Sequence, residues 1–159
     1  MGSYKRVSAT GTVSDAESAI DSLKELGSEC REIVDNASDG LKETQRIQTL
    51  EETADALEDL DMPDIPEAVA GLSFDYHVQE NRRKGRGPSR AVRRDNEVEL
   101  LSACQSAVDQ WVGERIAEIE EEGGNPDDHD EVQEAEQFSS ELGDIISNAE
   151  SAEFPGMFG

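Results

Sequence analysis

Seven of the chain's fourteen basic residues stand between Arg82 and Arg94, in the run RRKGRGPSRAVRR, with no acid among them. Guanidinium groups at this density bind phosphates or carboxylates by charge and by paired hydrogen bonds, and Gly85 and Gly87 let backbone approach a ligand closely. Arg82, Arg83, Lys84, Arg86, Arg90, Arg93 and Arg94 are therefore the candidate partner- or phosphate-binding residues. Two features count against nucleic acid. The island has no aromatic side chain on which a base could stack, and the chain carries 38 acids for a net charge of −24. Docking onto an acidic protein surface, whether the chain's own helices, a second copy or another protein, is the favoured reading. A nucleic-acid binder working through 82–94 is an alternative.

The acids flank the island on both sides, 19 of them in 1–81 and 19 in 95–159. Such a charge repels polyanions and anionic membranes and favours cationic partners, though it also serves solubility. Asp15, Glu17, Asp21, Glu25, Glu29, Glu32, Asp35 and Asp39 recur every two to four residues along one segment. That row raises a second alternative, an acidic mimic of nucleic acid that inhibits a DNA- or RNA-binding enzyme.

Other chemistries find little support. His77 and His129 share no metal-ligand spacing with Cys30 or Cys104, and both cysteines fall on apolar faces as core residues. The acids of 125–131 lack the glycine of a calcium loop and read instead as complements to a helix N-terminus. No nucleophile turn, phosphate loop or dinucleotide fingerprint occurs. The expectation is a non-catalytic protein with no cofactor and no metal.

The elements that hold these residues follow from periodicity. Val13, Ala16, Ile20, Leu23, Gly27, Cys30, Val34, Ala37 and Leu41 alternate three- and four-residue steps, the seam of a coiled coil. Ser14 and Glu17 read as a capping box, giving a helix over 14–38. Ile47, Leu50, Ala54 and Leu57 predict an antiparallel partner over 42–60, with Thr49 and Glu52 as an internal cap. Small seam residues let the two helices approach closely. Prolines 63 and 66 end the unit. Leu72, Phe74, Tyr76 and Val78 then alternate with polar residues, the period of a strand. Such a strand pairs with residues around Tyr4 to Val7, pairs across a dimer, or lies extended on the helices, and the last is favoured.

Ser89 predicts the N-cap of a third helix over about 90–122, whose wide stripe runs through Val92, Val98, Leu101, Cys104, Val108, Trp111, Val112, Ile116 and Ile119. A fourth, over about 127–152, carries Ala135, Phe138, Leu142, Ile145, Ala149 and Ala152. Arg90, Arg93 and Arg94 sit where the helix dipole prefers acids, which calls for compensation from another helix or a bound anion. The tail places Phe154, Met157 and Phe158 about a Pro-Gly turn, either folded back onto a hairpin, the favoured reading, or offered as a partner motif.

The predicted fold class is all-α: two antiparallel helical hairpins with coiled-coil-like seams, joined by an extended, Pro-containing and basic linker. Its parts are a flexible N-terminal segment 1–12, an acidic hairpin 13–61, a linker 62–88, a second hairpin 89–153 and an apolar tail 154–159. No apolar run spans a membrane and no secretory leader is legible, so a cytoplasmic location is expected. The resulting expectation is an acidic interaction protein that docks electrostatically to a charged protein surface or to itself, with the texture of an accessory or structural protein of a virus or mobile element.

Overall fold

The computed structural model of the chain describes residues 4–81 and 87–155. Helix α1 (Asp15–Asn36) leads through a single turn, α2 (Asp39–Lys42), into α3 (Gln45–Glu58). Val13, Ala16, Ile20, Leu23, Gly27, Cys30 and Val34 are all buried along the predicted seam. The contacts between α1 and α3 run in opposite directions. Gly27 abuts Leu57 and Glu58, whereas Cys30 and Val34 cluster with Ile47, Leu50 and Ala54. Across the outside of this pair Arg31 bridges to Glu58 at 3.0 Å and to Asp55.

Ala19 and Leu26 are buried as well, which widens the face of α1 beyond a coiled-coil seam. The extra surface packs on α4 (Arg90–Glu121), which pairs with α5 (Asp130–Glu150). Gln105 donates to the Ser139 carbonyl at 2.9 Å, and Arg115 meets Glu131 near the far end, so this second pair is also antiparallel. One continuous core joins α1, the end of α3, α4 and α5, from Val13 to Ala152. Both cysteines are free and lie in that interior, Cys104 in the main core and Cys30 in the α1–α3 cluster. Burial alone pushes the Cys104 thiol up to about 12.

The all-α expectation is corrected by a two-stranded antiparallel sheet. Residues 4–12, expected to be flexible, form strand β1 (Tyr4–Thr12), and part of the expected linker forms β2 (Ser73–Asn81). The favoured reading of 72–78 as a lone extended segment is therefore also corrected, because Val7 pairs with Val78 and Gly11 with Phe74. One face carries Val7, Ala9 and Gly11 beside Phe74, Tyr76 and Val78 and turns inward. The other carries exposed Ser8, Thr10, Asp75 and His77. Gly11 keeps this face close-packed: a Cβ there would stand 3.1 Å from the Tyr76 ring and 3.2 Å from that of Phe74, so the rings would have to shift by a few tenths of an ångström. The outer edge of β2 lies along α4, where Asn96 imitates a third strand. Its Nδ2 donates to the Gln79 carbonyl at 3.1 Å while its Oδ1 accepts from the Gln79 N–H at 2.8 Å.

Local expectations fail at three points for physical reasons. Leu41 is 55% exposed because the chain leaves the α1 axis after Asn36 and α2 points it outward. Ser14 makes no capping bond; Asp15 instead accepts from the Thr12 N–H at 2.7 Å, tying the end of β1 to the start of α1. Thr49 and Glu52 lie inside α3, whose cap is Thr44, accepting from the Ile47 N–H at 3.4 Å. Ser89 does cap α4, accepting from Val92 at 3.3 Å.

Two glycines separate close packing from mere presence in a helix. A Cβ on Gly27 would stand 2.9 Å from Leu57 Cβ and 3.1 Å from the Glu58 backbone nitrogen, whereas one on Gly113 meets nothing within 4 Å. Overpacking costs about 1–3 kcal/mol, more than the helix propensity that alanine restores. Gly27→Ala is therefore expected to lower the urea midpoint by the equivalent of about 1 kcal/mol or more. Gly113→Ala should raise it by roughly 0.5–1 kcal/mol.

Candidate functional site

Arg82, Arg83, Lys84 and Arg86 lie outside the described residues, as do Met157 and Phe158 of the tail. The described arginines of the island turn toward the protein's own acids and carbonyls. Glu29 of α1 accepts from Arg90 Nε at 3.1 Å and, with both oxygens, from Arg93 at 3.0 and 2.7 Å. The Arg93 hydrogen bonds hold the Glu29 carboxyl below its ordinary range against the opposing effect of burial. A carboxylate from another helix thus offsets the two cations at the dipole's unfavourable end.

Arg94 reaches the opposite kind of terminus. Its guanidinium donates to the carbonyls of Ala149, Glu150 and Ala152 at the C-terminal end of α5, the closest at 2.6 Å, and pairs with Asp95 at 2.6 Å. There the cation meets the negative end of the dipole, and the orphan carbonyls gain a donor. The same guanidinium lies 5.6 Å from the centroid of the Phe154 ring, within cation–π range. Phe154 packs against both hydrophobic clusters. Thr53 fixes the turn before it, donating to the Glu153 carbonyl at 2.7 Å and accepting from the Glu153 N–H at 3.1 Å.

The acidic row of the first helix is exposed at Glu17, Asp21, Glu25, Glu32 and Asp35. It is interrupted by Glu29, which the arginines occupy, and Asp15 is engaged with Thr12. A different acidic surface is concave. Residues Met62 to Glu67 lie against α5 and border an open cleft of about 620 Å³, with the aliphatic groups of Met62 and Ile65 on its walls and the buried Phe138 beneath. Asp64, Glu67, Glu134 and Glu141 are its charged lining, and among the described residues no base contributes to it. These four carboxylates do not converge: among the described residues no three His, Cys, Asp or Glu side chains are placed to hold a metal ion. Walls of this composition suit an extended cation whose stem is aliphatic, as in lysine or arginine.

No family model, curated protein or solved structure matches this chain. No helix among the described residues is long and apolar enough to cross a membrane. The site therefore rests on its own geometry. Sequence reasoning missed the cleft because it treated 62–67 as a spacer. The available signal was the alternation of acids with Met62, Pro63, Ile65 and Pro66, since apolar side chains in a supposed linker need a surface to cover.

One carboxyl stands apart from the exposed acids. Glu97 of α4 is half-buried near Tyr76 and one turn after Arg93, and burial pushes it up to about 7, Arg93 opposing the shift. A carboxyl raised above its unfolded value contributes stability below about pH 4.5 that is lost as pH rises through about 7. Glu97→Gln should therefore raise the thermal midpoint relative to wild type by a few degrees at pH 8, with the difference vanishing near pH 4.5. Paired melts between about pH 6 and 8 separate it from the general relief of acid repulsion, because ordinary carboxylates stay ionised over that interval and only the Glu97 difference should change there.

Proposed function

We propose that the protein is a non-catalytic interaction protein that docks a cationic protein surface, with the cleft between Met62–Glu67 and α5 as its principal contact. The observation that carries this reading is the union of concavity, a partly aliphatic lining and four carboxylates at Asp64, Glu67, Glu134 and Glu141 without a compensating base among the described residues. The other exposed acids supply a long-range field that steers a cation toward it. The internal use of Arg90, Arg93 and Arg94 supports the same view, because it leaves the described part of the basic island committed to the fold rather than to a polyanion. The interruption of the α1 row at Glu29 favours the cleft over nucleic-acid mimicry along that helix.

Exposed ion pairs contribute about 0.2–1 kcal/mol each, so four of them correspond to about fourfold in affinity at the least, with tenfold (~1.4 kcal/mol) inside the range. A fluorescent peptide of alternating arginine and alanine is a suitable probe. The variant Asp64→Asn, Glu67→Gln, Glu134→Gln, Glu141→Gln should bind it about tenfold more weakly at moderate salt. Neutralising Glu17, Asp21, Glu25 and Glu32 instead removes the same charge and should cost only a small part of that. Equal losses in the two variants would reduce the effect to net charge and overturn the cleft. A greater loss from the α1 variant would transfer the site to that row and restore the mimicry reading.

A further inference from the structure

The two strands bury their edges unequally. Val13 donates to the Leu72 carbonyl at 3.2 Å just beyond the last paired residues, which makes Val13 and Leu72 a hydrogen-bonded pair. Antiparallel ladders alternate bonded and non-bonded pairs. Continued up the register, Gly11, Ala9, Val7 and Lys5 face β2 with their backbone groups, while Thr10, Ser8 and Arg6 direct theirs away from it. Gln79, opposite Arg6, obeys the same alternation by turning outward to Asn96. The edge of β2 is thus met by α4. On the edge of β1, no bond from a described residue meets the outward N–H and C=O groups of Arg6, Ser8 and Thr10, and all three side chains are exposed.

The geometry points to this edge as a self-association surface, on which β1 of a second copy pairs antiparallel about a two-fold axis at Ser8 to give a continuous four-stranded sheet. Edge addition supplies backbone bonds from both chains, and a two-fold makes the same patch serve both partners. About that axis Arg6 stands opposite Thr10 of the second copy, and Ser8 opposite Ser8. Each exchanges both of its outward backbone bonds with the residue opposite.

Charge complementarity selects a second copy as the occupant. The strand YKRVSATGT carries Lys5 and Arg6 and no acid, in a protein of net charge −24. Thr10 donates to Asp75 Oδ1 at 2.9 Å, which holds that carboxylate on the outer face beside the edge. In the paired sheet the long Arg6 side chain crosses the small Thr10 of the other copy toward its Asp75, and symmetry repeats the contact. The two Arg6 side chains are about 14 Å apart along the strands, beyond the screening length of about 8 Å. On the inner face Val7 meets Ala9 of the second copy, so two half-buried apolar residues are covered as well.

Sedimentation velocity on the full chain, over a wide range of concentration at moderate salt, tests the surface. The wild type should rise from the mass of one 17.4 kDa chain toward twice that value. Arg6→Glu and Asp75→Arg should each weaken association about tenfold, and the double variant, which restores opposite charges with their places exchanged, should recover most of it. Ser8→Pro removes the donor at the axis without touching the β1–β2 bonds and should leave a monomer. Should circular dichroism show that proline disturbs the fold, the charge exchange decides. A wild type of one-chain mass at every concentration overturns the proposal. So does a dimer that persists in folded Ser8→Pro, or a double variant no better than the single ones. None of these outcomes depends on the cleft.

Discussion

The structure depends on the burial of α1 on more than one side. A coiled-coil seam would bury Ala16, Ile20, Leu23, Gly27, Cys30 and Val34 against a single partner. Here Ala19 and Leu26 are buried too, and α1 packs on α3 and α4. Apolar burial contributes about 25 cal/mol per Å², so a second covered face on a helix of this length outweighs several exposed ion pairs. The small residues of the helix matter as much as the large ones. Gly27 lets the α3 backbone approach, and Ile20, Leu23, Ile47, Leu50 and Leu57 then fill the remaining seam beside smaller alanine, cysteine and valine side chains. Through α1 the two hairpins and the sheet share one core, to which Phe154 adds the smaller Cys30–Ala54 cluster at the far end.

Electrostatics acts on this frame as specification rather than as the main source of stability. Arg90 and Arg93 begin α4, where the dipole disfavours cations, and Glu29 offsets them from α1. The Glu29–Arg93 pair uses both carboxylate oxygens, a geometry sensitive to the register between the helices. Arg94 fastens the start of α4 to the end of α5, and Phe154 completes the contact. One short stretch of α4 therefore touches the first hairpin, the second hairpin and the tail. A basic sequence that reads as a docking site is, over its described half, the fastening between parts of its own chain.

What the residues disclosed before any coordinates follows the distance over which each signal acts. Helices are written locally: the expected spans 14–38, 42–60, 90–122 and 127–152 stand beside Asp15–Asn36, Gln45–Glu58, Arg90–Glu121 and Asp130–Glu150. The sheet is written non-locally. Its strands are separated by both helices of the first hairpin, and the inward residues of β1 are Val7, Ala9 and Gly11, too small to give a clear alternating pattern. Their smallness makes room for Phe74 and Tyr76, a requirement visible only once the strands are paired. Of the expected site residues, Arg90, Arg93 and Arg94 showed their need for outside compensation through the helix-dipole argument. The cleft did not show itself, because exposed acids look alike in sequence and only the placement of 62–67 against α5 separates Asp64 and Glu67 from the rest.

The distribution of charge gives the two proposed surfaces different characters. A molecule of net charge −24 repels its own copies, and the repulsion is greatest where acidic helix faces would meet. Like-with-like association is least opposed on a surface that is locally neutral or basic. The β1 edge meets that condition, since its acids belong to the neighbouring strand and stand where an incoming Arg6 can reach them. The cleft has the opposite character: a mainly polar lining with four carboxylates and, among the described residues, no base, a place that a second copy can satisfy only with cations, of which Arg31, Arg90, Arg93, Arg94 and Arg115 already hold internal acids. Among the described residues, using arginine inside the fold leaves the acidic cleft without a base from the same chain. On the readings proposed above, the sheet edge and the cleft are separate surfaces, one suited to a copy and the other to a cationic partner.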